Sequence, residues 1–98
     1  MNEIRLEQTC KMCPEQYWAW KGSHKVGYIR LRFGHLTCDY LPSGSMGPDE
    51  IRLVDYIFEG DNFKGCFDSE DERAEWLEIC KVKLLEEYKH QKLVQKRD

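Results

Sequence analysis

Val26-Gly-Tyr-Ile-Arg-Leu-Arg-Phe-Gly-His-Leu-Thr-Cys-Asp-Tyr-Leu41 is the stretch that decides the fold. Apolar and polar side chains alternate on both sides of Gly34-His35, the period of a strand whose two faces meet different surroundings. A two-residue loop with glycine first has the chemistry of a type II′ hairpin turn. It predicts Phe33 opposite Leu36, Leu31 opposite Cys38 and Ile29 opposite Tyr40, all six on one buried face. Arg30 then falls opposite Asp39 and Arg32 opposite Thr37, an ion pair and a polar pair suited to water. A slip of one residue would send the apolar set to solvent, so the pattern and the turn support the same faces.

Upstream, Gln16 to Trp20 reads as a strand, joined to Val26 by the turn-forming run Lys21-Gly-Ser-His-Lys25. Symmetric pairing sets Trp20 opposite Val26 and Trp18 opposite Tyr28, on the face of Arg30 and Arg32. Tyr17 and Ala19 go to the other face, and a bulge in this turn would exchange the two sets. Ile4 to Gln8 is a short edge strand. Downstream, Pro42 to Asp49 is dense in turn formers and is expected to be a mobile loop. Ile51 to Phe58 resumes as a strand whose apolar phase changes between Leu53 and Val54, the sign of a bulge or of burial on both faces. Gly60-Asp-Asn62 turns the chain into a short segment, Phe63 to Phe67.

Ser69-Glu-Asp-Glu72 fits the capping box, in which the serine hydroxyl accepts the N–H of Glu72 and the glutamate reaches back. Trp76, Leu77, Cys80, Leu84 and Tyr88 follow at spacings of three and four, one apolar stripe for a helix lying on the sheet. Acids in the first turn and Lys89, His90 and Lys92 in the last suit the helix dipole. Residues 90–98 are expected to fray. The fold class is therefore α+β: a small antiparallel sheet of about four to six strands packed against one long C-terminal amphipathic helix, with 1–98 a single domain.

Ninety-eight residues suffice for one core and not two. A hydrophobic fraction of 41% fills it, and a charged fraction of 34% solvates the surface, so the chain should fold without a partner. A net charge of −3 is too balanced for a molecule-wide nucleic-acid groove or basic membrane surface. No stretch approaches the roughly 20 apolar residues of a membrane span, and the first residues lack the apolar core of a secretory signal. A cytoplasmic location is expected, with Cys10, Cys13, Cys38, Cys66 and Cys80 as thiols or metal ligands rather than disulfides.

Cys10-Lys-Met-Cys13-Pro14 is the one recognisable metal half-motif, since thiolates at this spacing can grip a single zinc ion. Four ligands are required, and the second pair would come from Cys38, Cys66, His24 or His35. A pair of partly buried thiols at a connecting turn needs no such set, so no cofactor is expected and zinc is the alternative. A thioredoxin-like role is weaker because Pro14 leads into a strand rather than a helix. Trp18, Trp20, Tyr28, Arg30 and Arg32 form an aromatic and cationic patch of the composition enriched at protein interfaces and single-strand platforms, unless a second layer covers them. Glu70, Asp71 and Glu75, within the acidic run from Asp68 to Glu78, offer either a phosphate-like cluster or ordinary dipole stabilisation. Ile79, Val82 and Leu93 lie off the main stripe in an a, d, a seam interrupted by Glu86 and Lys89, a candidate homodimer contact. No G-x-S-x-G, Walker loop or H-E-x-x-H is present, and no enzyme is expected.

The pattern C-x-x-C-P-E-Q-Y over Cys10 to Tyr17, the run Val26-Gly-Tyr-Ile-Arg-Leu-Arg32 and the capped start Phe67-Asp-Ser-Glu-Asp-Glu-Arg73 resemble a group of small bacterial and phage proteins, over most of the chain. The resemblance implies a phage or mobile-element inhibitor of a bacterial host-defence protein, anti-CRISPR-like, acting in the host cytoplasm. Gly27 to Tyr40 is also similar to the central strands of GNAT acetyltransferases. Their pyrophosphate-binding turn has no counterpart here, so that activity is not carried over. The expected function is a non-enzymatic protein-binding module using Trp18, Trp20, Tyr28, Arg30, Arg32, Glu70, Asp71 and Glu75; the alternative is a small zinc-stapled nucleic-acid-binding module.

Overall fold

A computed structural model of the chain describes residues 4–9, 15–44, 47, 49–60 and 64–96. Five strands, β1 (Arg5–Gln8), β2 (Glu15–Lys21), β3 (His24–Arg32), β4 (His35–Tyr40) and β5 (Ile51–Ile57), precede one helix, α1 (Glu70–Lys96). The strands pair antiparallel in chain order, β1-β2-β3-β4-β5. The α+β class expected from the sequence is what the chain forms.

The central hairpin closes one step earlier than expected. Phe33 and Gly34 both take positive φ, 54° and 74°, as a type I′ turn requires at its two central residues. Leu31 therefore faces Leu36, Ile29 faces Cys38 and Arg30 faces Thr37 rather than Asp39. The offset is two residues, so each strand side chain keeps its expected face and only Phe33 is displaced, to 65% exposure in the turn. Glycine in second place supplies the left-handed conformation there, and the I′ twist matches that of the strands.

Two bulges adjust the flanking pairs. Between β2 and β3, Trp18 faces Tyr28 as expected, but Trp20 faces Lys25. Val26 is thereby released from its expected place opposite Trp20 and is buried. Between β4 and β5 the register shifts after Cys38, leaving Leu53 as the extra residue. The phase change in the sequence marked this second bulge.

The helix lies across one sheet face. Cys80 and Leu84 are fully buried among Ala19, Ile29, Leu31, Leu36 and Cys38, with Trp76, Leu77 and Tyr88 packed at the margin. Its start is capped as expected by Ser69, whose hydroxyl accepts the Glu72 N–H at 3.1 Å. The Glu72 carboxylate accepts the Asp68 N–H at 2.8 Å instead of that of Ser69, because it also meets buried Lys64 Nζ at 3.2 Å. Residues 90–96, expected to fray, are helical; 97–98 lie outside the described residues.

A polar tie fastens β2 to the helix start. Glu15, 2% exposed, accepts hydrogen bonds from Arg73 Nε (2.9 Å) and Nη2 (3.0 Å), the Tyr17 hydroxyl (2.6 Å) and the Phe67 N–H (2.8 Å). Burial alone would raise its pKa, but these bonds hold the carboxyl below its usual range. Tyr17 is pushed up to about 12 by burial and by Glu15 beside it.

The thiols correct a sequence expectation. Cys38 and Cys80 are free and buried, a hydrogen bond that the Cys38 thiol donates to Cys80, together with burial, pushing the Cys38 thiol up. Cys66, expected to be reduced or a metal ligand, is disulfide-bonded. Composition speaks to the redox surroundings, whereas a disulfide also needs the chain to bring two sulfurs within bonding distance.

Candidate functional site

The sheet face turned away from α1 is where the sequence-predicted aromatic and cationic residues meet. Trp18 and Trp20 on β2 and Tyr28, Arg30 and Arg32 on β3 share it, through the alternation of side chains along paired strands. The Trp18 and Tyr28 rings lie 4.7 Å apart at 42°. Lys25 Nζ stands 4.1 Å from the Trp18 ring and 5.5 Å from that of Trp20. Its presence there follows from the bulge, which withdraws Val26 to the core and sets Lys25 opposite Trp20. On β1, Arg5 sits 5.6 Å from the Trp20 ring, whose Nε1 donates to Glu7 Oε1 at 3.0 Å.

Toward the hairpin turn the same face opens into a hollow of about 380 Å³ lined by Arg30, Arg32, Phe33, His35, Thr37 and Ile57. Phe33 and Ile57 are largely exposed at its rim, and the Arg32 guanidinium lies 4.8 Å from the Phe33 ring. Among the described residues neither Arg30 nor Arg32 forms an ion pair. Charge on the β4 and β5 side is internally matched: buried Asp39 holds Arg52, which reaches Asp55 at 3.3 Å, and Asp55 holds His35. The hydrogen bond from His35 keeps the Asp55 carboxyl below the usual carboxylate range. Among the described residues of this face, cations without an ion pair thus lie on β1 and β3, as Arg5, Lys25, Arg30 and Arg32.

Comparison of the chain with protein-family models, with curated proteins and with solved structures finds no match. The site must be read from its own residues.

Glu70, Asp71 and Glu75 do not join this face. They lie on the first turns of α1, in the other layer, with Glu70 paired to Arg73. Cys10 and Cys13 lie outside the described residues. Of the four ligands that could complete a zinc site with them, Cys66 is in a disulfide, Cys38 is sealed in the core and His35 is held by Asp55, while His24 is exposed at the start of β3. Among the described residues no group of three His, Cys, Asp or Glu side chains could hold a metal. The cluster of perturbed groups Glu15, Tyr17 and Arg73 is closed to a substrate, since Glu15 is buried and both its oxygens are occupied.

Lys25, Phe33 and Ile57 belong to the face and escaped sequence reasoning. Lys25 was assigned to a turn because the bulge is not written in local propensity. Phe33 fitted the apolar alternation, and only the Phe-Gly pair hinted at an I′ loop. Ile57 lies at the end of β5, beyond a register shift that moves it to this face.

Proposed function

We propose that this chain is a non-enzymatic protein-binding module that docks an acidic protein surface on the open sheet face of Trp18, Trp20, Tyr28, Arg30 and Arg32. The observation that carries the reading is that aromatic rings and unmatched cations share one face with no second layer over it in the described chain. Tryptophan, tyrosine and arginine are the residue types that dominate interface hot spots. The exposed Phe33, held at positive φ, adds an anchor at the hairpin tip, where a bulky residue in that conformation carries a cost that binding can repay. The resemblance to small phage proteins supplies the class of target, a bacterial host-defence protein in the cytoplasm. No helix among the described residues is long and apolar enough to cross a membrane. The Cys66 disulfide weighs against a permanently reducing compartment, and cell fractionation of the expressing host decides the location.

The test compares the wild-type chain with Trp18→Ala and Arg30→Ala in quantitative capture from bacterial lysate, followed by affinity measurement on the captured protein. Each variant should keep the wild-type circular dichroism and weaken binding by about 2 kcal/mol or more. Unfolding of either variant, or unchanged affinity in a folded one, would remove the face from the interface. Binding of a single-stranded oligonucleotide, with tryptophan quenching and loss of affinity as salt rises, would favour the nucleic-acid alternative instead.

A further inference from the structure

Ile79, Val82 and Leu93 are 43%, 46% and 63% exposed, on the side of α1 away from the buried Cys80 and Leu84. Glu86 and Lys89, also exposed, complete the strip. Its positions follow an a, d, a, d, a order over residues 79, 82, 86, 89 and 93. Val82 also borders a hollow of about 170 Å³ that reaches Ile4 and Leu85, which widens the apolar part.

We infer that this strip pairs with a second copy of the chain as an antiparallel helix pair, with Val82 against Leu93 of the second copy and Glu86 against Lys89 of the second copy. In an antiparallel pair each a position meets a d position, and this arrangement sets apolar against apolar and acid against base at residues 82, 86, 89 and 93. Val82 and Leu93 form two symmetry-related apolar layers, and between them Glu86 and Lys89 form two ion pairs. A parallel pair would instead set Glu86 against Glu86 and Lys89 against Lys89, so charge complementarity fixes the orientation. The helix has the reach for it. Its 27 residues span about 40 Å at 1.5 Å per residue, against a longest molecular dimension of 46 Å. The overlap, from Ile79 to the end of the helix, leaves the sheets on the outside. Each open aromatic face then points away from its twin, and the dimer presents two binding faces.

Sedimentation velocity on the full chain tests the pairing. So short a seam makes a weak dimer, half-formed at roughly 0.1 mM, and concentrations from about 10 μM to 1 mM should show it. Glu86→Lys and Lys89→Glu each set like charges together twice and should weaken the dimer about tenfold. The double exchange, Glu86→Lys with Lys89→Glu, should restore it. All three changes lie on exposed helix positions, and circular dichroism verifies that the fold is kept. A chain that stays monomeric at about 1 mM overturns the proposal. A dimer whose double exchange is no stronger than the single variants overturns the antiparallel register.

Discussion

Glu15 joins sequence positions that local pattern cannot connect. Its partners Phe67 and Arg73 lie 52 and 58 residues away, and a carboxylate at the start of a strand reads as a solvated end. Buried between β2 and the helix start, it makes the protein sensitive to pH at both extremes. Its folded pKa lies below the ordinary 4.5, so its contribution is complete above about pH 4.5 and is lost as pH falls through the lowered value. Tyr17 has the opposite sign. Its pKa rises from 10.0 to about 12, so its contribution is complete below pH 10 and is lost as pH climbs toward 12. Two units correspond to about 2–3 kcal/mol. Urea-unfolding midpoints across pH should fall on both sides, and Tyr17→Phe should reduce the alkaline fall, leaving the part that belongs to Cys38 and Tyr40, whose pKa values are raised as well. Arg73→Ala, which strands a buried carboxylate, should cost about 3 kcal/mol at pH 7. A loss below about 0.5 kcal/mol would mean that water reaches Glu15.

Among the elements, the central hairpin separates what alternation specifies from what turn geometry specifies. Alternation assigned Ile29, Leu31, Leu36, Cys38 and Tyr40 to the core, where all are buried, because a face is a parity and parity survives a shift of two. The pairing did not survive, since a Gly-His loop and a Phe-Gly loop give the same parity. The chain takes the Phe-Gly loop, in which the Gly34 N–H donates to the Lys64 carbonyl at 2.9 Å and the Gly34 carbonyl accepts the Phe58 N–H at 2.8 Å, at the cost of a phenylalanine at φ 54°. Phe33→Asn gives the Asn-Gly pair that I′ turns favour. It should raise stability by about 0.5–1 kcal/mol, or a few degrees in Tm for a domain of this size, while weakening partner binding if the hairpin tip is an anchor. Thermal denaturation and affinity are read on the same variant. Lower stability would show that the ring's contact with Arg32 outweighs the backbone cost.

At the scale of the whole molecule, the helix and sheet approach so closely that a hydrogen atom is required where they cross. A Cβ on Gly27 would stand 2.5 Å from Leu84 Cδ2 and 3.1 Å from the Asp39 carbonyl oxygen. Gly27→Ala should therefore cost about 1–3 kcal/mol by overpacking, seen as a loss of about 10 °C in Tm. An unchanged Tm would mean that the helix can slide on the sheet. This close layering also explains why the open face is legible as a site, since one helix covers one face and the chain has no second helix among the described residues.

The sequence by itself determined the class of fold, the hydrophobic face of each strand in the central hairpin, the helix cap and its buried stripe. These follow from periodicity and from bonds between residues three or four apart, which local chemistry dictates. For Trp18, Trp20, Tyr28, Arg30 and Arg32 it offered one shared face on symmetric pairing and an exchange of faces with a bulge; the structure has the bulge, but at Trp20, where it displaces Val26 and leaves the five together. Only the tertiary structure decided the I′ turn at Phe33, the exchange of Val26 for Lys25 at the bulge, the burial of Glu15 under Arg73 and the disulfide at Cys66. Each depends on which distant group arrives, and that is settled by packing a twisted sheet against one helix rather than by the pattern of neighbours along the chain.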